Sequence, residues 1–130
     1  MTKKDLKPES VFHFFDEINK IPRPSKHVEK MIDYLKTFGE SRGLETIIDE
    51  AGNVLIRKEA TKRKENRPTL VIQSHMDMVC DKLVDHEIDF YNDPITTYID
   101  GDWLKADGTT LGADDGIGCA IELALLDAMI

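Results

Sequence analysis

The sequence predicts an α/β domain, and three observations carry that prediction. Apolar residues recur at helical spacing over residues 9–42, and short β-branched runs bounded by turn residues follow. Leu70-Val71-Ile72 is a continuous apolar run of the kind expected for a strand buried on both faces. Residues 117–130 then return to an apolar helical pattern, which predicts a buried helix.

Pro8-Glu9-Ser10 opens a helix over residues 9–20, with Val11, Phe14, Phe15 and Ile18 on one side. Ile21-Pro22-Arg23-Pro24 ends it, because proline removes donors and restricts the residue before it. Ser25 is then a natural N-cap for a second helix over about residues 26–42. Val28, Met31, Ile32, Leu35 and Phe38 form its apolar stripe, and Gly43 stands in the C-terminal capping position. Residues 44–48 and 54–58 read as strands joined by the hairpin loop Asp49-Glu50-Ala51-Gly52-Asn53. Residues 59–67 are basic and read as an exposed loop, a solvated charge run. Residues 98–105 read as a second hairpin turning at Asp100-Gly101.

Bulk properties narrow the function. A chain of 130 residues is long enough to bury one core. Its 17 basic and 25 acidic residues leave a net charge of −8, which argues against a nucleic-acid partner. No apolar run approaches the roughly eighteen residues of a membrane span. The basic start, Met1-Thr2-Lys3-Lys4-Asp5-Leu6-Lys7, leads into no apolar signal core, so a cytoplasmic location is expected. Cys80 and Cys119 are widely separated, and reduced thiols fit that compartment. Cys80, three residues after Asp77, is a possible ligand by position, but a small buried thiol is its commoner role. The chain closes on Asp127-Ala128-Met129-Ile130, apolar and uncapped, which reads as a truncation.

Two motifs carry chemistry. Ser74-His75-Met76-Asp77-Met78-Val79 follows the apolar run, at the strand end where ligands bind in open α/β sheets. Residues two apart in an extended segment point the same way, so Asp77 can fix the ring of a metal-binding His75. The same pair also reads as a hydrogen-bonded loop contact. Leu111-Gly112-Ala113-Asp114-Asp115-Gly116 places two carboxylates in a glycine-flanked turn before the last helix. Aspartate at a helix start is ordinary capping, but two adjacent carboxylates are best relieved by a cation. There is no Gly-Lys-Ser/Thr for a phosphate loop, no calcium-loop spacing and no Gly-x-Ser-x-Gly. His13 and His27 read as structural, and His86 as part of a solvated acidic loop.

With these segments in view, the chain resembles the N-terminal part of bacterial aminoacyl-histidine dipeptidases, also called cytosol non-specific dipeptidases. They belong to the dinuclear zinc peptidase and acylase superfamily. The likeness spans nearly the whole chain. It rests on Ile21-Pro22-Arg23-Pro24-Ser25, the residues 49–58, Gln73 to Val79, Asp93-Pro94-Ile95, the residues 98–106 and Gly108 to Asp114.

The resemblance implies a zinc-peptidase-like three-layer sandwich, a mixed sheet flanked by helices, of which residues 1–130 would be an incomplete N-terminal part of the catalytic, metal-binding domain. It implies that His75 ligates zinc, that Asp77 orients His75 and counts as catalytic, and that Asp114 bridges two zinc ions. Manganese and cobalt are alternative ions. A cis peptide is implied between Asp114 and Asp115. The substrate implied is a dipeptide, with a homodimer as the full-length state. The chain departs from the family pattern at Asp115, where asparagine is common, and at Asp107, where arginine is common. Tripeptide aminopeptidases share the Asp-Gly-Thr-Thr and Asp-Asp forms, so a tripeptidase or acylase is one rival. A non-catalytic α/β module is the other. The family's catalytic Glu-Glu pair, its later acidic ligand, its C-terminal histidine and its inserted lid or dimerisation domain are all absent from these residues.

Overall fold

Residues 1–129 are described by a computed structural model. Three helices, α1 (Glu9–Asn19), α2 (Glu29–Ser41) and α3 (Ala113–Asp127), accompany two hairpins. The first hairpin pairs β1 (Glu45–Ile48) with β2 (Val54–Arg57), and the second pairs β3 (Thr97–Asp100) with β4 (Trp103–Ala106). The α/β class expected from the sequence is therefore present.

The helices form because their apolar residues share one side. Phe14, Phe15 and Ile18 of α1 meet Cys119, Ala120 and Leu123 of α3, with Met31 and Phe38 of α2 completing the core. Each of the large side chains among them, Phe, Ile, Leu or Met, contributes about 1.5–3 kcal/mol by leaving water. The rings of Phe14 and Phe38 meet edge to face at 5.6 Å. The Arg42 guanidinium lies 3.7 Å over Phe38 and pairs with Asp127 at 2.8 Å, closing the far end of the core.

The predicted C-terminal cap of α2 is a full Schellman arrangement. Gly43 takes φ +67°, its N–H donates to the Glu40 carbonyl, and the Leu44 N–H reaches the Gly39 carbonyl. The loop between β1 and β2 closes as predicted, with Asp49 Oδ1 accepting from the N–H groups of Ala51 and Asn53. The second hairpin forms, but it pairs Asp100 with Trp103, so its turn is Gly101-Asp102, one residue later than the Asp100-Gly101 expected.

Three expectations are corrected. Leu70-Val71-Ile72 forms no strand and is exposed, because neither hairpin lies beside it to supply the ladder a strand requires. Ser25 does not cap α2. Val28 stands at that cap with no side-chain bond, and the Ser25 hydroxyl is committed elsewhere. The last helix is buried on one side only: Gly116, Cys119, Ala120 and Leu123 are inside, whereas Ile121 and Leu125 are exposed. That helix ends at Asp127, and Ile130 lies outside the described residues.

Candidate metal centre

The two motifs meet. His75 Nε2 lies 3.0 Å from Asp114 Oδ1, and His75 Nδ1 lies 3.0 Å from Asp77 Oδ1. The histidine thus stands between two carboxylates, one on its own segment and one from the start of α3. Its pKa is raised, chiefly by the Asp114 carboxylate and further by Asp77. The Asp77 carboxyl is held below its ordinary range, first by the Ser25 hydroxyl, which donates to Oδ2 at 2.5 Å, and then by His75.

The adjacent carboxylates diverge. Asp114 projects into solvent, its side chain 96% exposed. Asp115 folds back over its own helix, so that a Cβ added at Gly118 would lie 2.5 Å from Asp115 Oδ1. Both residues leave helical geometry, and the Asp114–Asp115 peptide is cis, as the resemblance implied. Gly112, at φ +75°, turns the chain into this segment.

Helix α3 also anchors the histidine segment from behind. The Ser74 hydroxyl donates to Glu122 Oε2 at 2.7 Å and lies 3.2 Å from Cys119 Sγ, and that thiol donates to the His75 carbonyl. Burial pushes the Glu122 carboxyl and the Cys119 thiol up. Downstream, the Thr110 hydroxyl donates to the Val79 carbonyl at 2.8 Å, and the Thr110 N–H donates to the Asp81 carbonyl.

One residue that motif reading passed over sits at the centre of these connections. Arg23 is 1% exposed. Its Nη1 donates to the carbonyls of Met76 and Asp77, and its Nη2 donates to the Gly112 carbonyl at 2.8 Å. The sequence signal was available: a cation between two prolines, in a connection that joins two amphipathic helices.

The donor set fits a divalent zinc-like cation. The Nδ1–H of His75 is held by Asp77, which leaves Nε2 for a metal, and the exposed Asp114 carboxylate faces that nitrogen. Among the described residues, no group of three or more His, Cys, Asp or Glu side chains is arranged to hold an ion. His86 packs against Gly108, and His27 stacks edge-on with Tyr91 at 5.0 Å, so neither joins the pair. Cys80 Sγ is directed to the Met78 carbonyl. Beside Ser25 a shallow, open depression is lined by Met78, Val79, Cys80, Phe90 and Tyr91.

No protein-family model matches the chain. It is 48% identical over 121 residues to the cytosol non-specific dipeptidase of Escherichia coli (strain K12), covering 93% of this chain and 25% of that protein. Its structure superimposes on the crystal structure of aminoacylhistidine dipeptidase from Vibrio alginolyticus with a TM-score of 0.94 and 47% identity. That match covers 97% of this chain and 26% of the dipeptidase. A tripeptidase from Staphylococcus aureus matches with a TM-score of 0.72 and 25% identity, over 91% of this chain and 31% of the tripeptidase. The chain thus spans about a quarter of the length of the dipeptidases it matches.

Proposed function

We propose that this chain, which belongs to the family of the cytosol non-specific and aminoacylhistidine dipeptidases, supplies one half of a two-zinc centre that hydrolyses dipeptides. The observation that carries this reading is the His75–Asp114 pair, two metal donors 3.0 Å apart and brought together from distant segments. Zinc, with manganese or cobalt as alternatives, supplies Lewis acidity toward the scissile carbonyl and an acidified water.

The chain's own residues do the rest. Asp77 holds the proton on His75 Nδ1, which fixes the tautomer and presents the Nε2 lone pair. Asp114, its side chain 96% exposed and its Oδ1 3.0 Å from His75 Nε2, would hold the metal together with that histidine. Because the Asp114 carboxylate favours protonated His75, metal uptake must displace a proton and weakens as pH falls. The remaining ligands and the general base belong to the part of the relatives' length that these residues do not span. On this reading residues 1–130 are part of the catalytic, metal-binding domain of a cytoplasmic homodimer. The cytosolic location is supported by the name of the Escherichia coli relative.

Dipeptides are favoured over tripeptides because both dipeptidase relatives are nearly twice as similar in sequence as the tripeptidase. The test uses the full-length protein, stripped of metal with a chelator and assayed on aminoacyl-histidine dipeptides and on tripeptides. Activity should vanish on stripping, return with zinc, and be absent from His75→Ala and Asp114→Asn. Full turnover by the stripped protein, or by Asp114→Asn, refutes the metal centre. Turnover of tripeptides alone moves the assignment to the tripeptidase.

A further inference from the structure

The segment Arg23-Pro24-Ser25 bonds to the loop that carries His75 and Asp77 and to the turn before Asp114 without supplying a ligand to the centre. The Arg23 side chain holds the carbonyls of Met76 and Asp77 on one side and that of Gly112 on the other. Its backbone pairs with the same loop: the Met78 N–H donates to the Arg23 carbonyl, and the Ser25 N–H donates to the Met78 carbonyl. Pro24 and Met78 thereby form a parallel bridge. The Ser25 hydroxyl then fixes Asp77 at 2.5 Å, and Asp77 in turn fixes His75.

We propose that Arg23 and Ser25 are the positioning residues of the metal centre: Arg23 sets the separation of the His75 and Asp114 loops, and Ser25 sets the rotamer of Asp77. This rests on the metal-centre reading above.

The chemistry of each residue fits its place. The segments that carry His75 and Asp114 are tied by Ser74 to Glu122, by the Cys119 thiol to the His75 carbonyl and by a bridge between Lys82 and Thr109, and Arg23 adds the link that reaches the carbonyls of Met76, Asp77 and Gly112 beside the two ligands. A planar guanidinium donates in several fixed directions at once, which one lysine ammonium on a flexible stem does not reproduce. The fit around it is close: a Cβ added at Gly112 or at Gly116 would lie 2.6 Å from Arg23 Nη2. The two glycines flank Asp114, so the backbone that carries the bridging carboxylate is moulded onto this guanidinium. Ser25 is exposed, so its hydroxyl could be solvated freely, and it is nevertheless bound to Asp77.

The test uses full-length protein and the variants Arg23→Lys and Ser25→Ala, with Ser25→Thr to restore a hydroxyl. Zinc dissociation constants are measured by chelator competition, and the visible spectrum is recorded with cobalt in place of zinc. Both loss variants should bind zinc about 10–100-fold more weakly, the range usual for groups that orient ligands. Their cobalt bands should shift, and kcat should fall more than KM rises. Ser25→Thr should recover most of the affinity. Should Arg23→Lys fail to fold, Ser25→Ala, altered at an exposed position, still decides whether the segment positions the centre. Unchanged zinc constants and cobalt spectra in a wild-type-active background overturn the proposal, even if melting temperatures fall. Absence of zinc binding by the wild-type protein overturns instead the metal-centre reading itself.

Discussion

Replacing Gly116 by alanine sets two effects of known size against each other. In an ordinary helix interior, alanine is favoured over glycine by about 1 kcal/mol. Gly116 follows the two non-helical residues of α3, with its N–H bonded to the Gly112 carbonyl, so at most that gain is available. Against it, the new Cβ would lie 2.6 Å from Arg23 Nη2 and 3.1 Å from Phe15 Cε2. Relief requires the guanidinium to move away from Gly112, stretching a 2.8 Å bond in a site where Arg23 is 1% exposed and cannot turn to water. A hydrogen bond to a charged group contributes about 1.5–3 kcal/mol. The net expectation is a loss of ~0.5–2 kcal/mol where helix propensity alone predicts a gain. Thermal unfolding of the full-length protein, wild type against Gly116→Ala, reads this as a lower Tm. An equal or higher Tm for Gly116→Ala would show that Arg23 has slack, and would refute the claim that these loops are moulded onto it.

Two further outcomes follow from the packing of α3. Leu123→Ala removes a side chain 2% exposed at the centre of the core and should cost about 2–5 kcal/mol, read as a lower urea midpoint with an unchanged slope; a cost below ~1 kcal/mol would mean that the core closes over the gap. Glu122 has its pKa raised, first by burial. A carboxyl raised on folding favours the native state most when protonated, below its ordinary value of 4.5, and loses that contribution as pH rises through the raised value. Glu122→Gln keeps an acceptor for Ser74 and should melt higher than wild type at pH 8, with the difference vanishing toward pH 4. A constant difference at all pH values would rule out titration as the cause.

The helices, both hairpins and the Gly43 cap were legible in the sequence because each is specified by local spacing and turn chemistry. Ser25 was misread because a serine before an apolar stripe is a good cap by local rules, and only the fold reveals that Asp77 lies within its reach. Leu70-Val71-Ile72 has the composition of a buried strand, but pairing is a property of neighbours, and among the described residues none lies alongside. His75, Asp77 and Asp114 were legible as residue types in suggestive motifs, and the resemblance gave them roles. Their convergence was implied by the resemblance alone and not by spacing, because it depends on a fold that brings residue 75 against residue 114. Arg23 was hidden for the same reason, since three of its partners are backbone carbonyls that no side-chain pattern records. Glu122 is the one acidic residue between Gly116 and Leu126, a visible irregularity that the spacing could have flagged as a buried polar contact.

The most direct measurement is anomalous diffraction at the zinc edge from crystals of the full-length protein grown with zinc. A metal centre of the kind proposed places one ion within about 2.0–2.2 Å of both His75 Nε2 and an Asp114 oxygen, with a second ion on the other oxygen of Asp114. Asp77 should lie behind His75, touching neither ion. Zinc bound elsewhere, or His75 and Asp114 still hydrogen-bonded to each other with no ion between them, would contradict it.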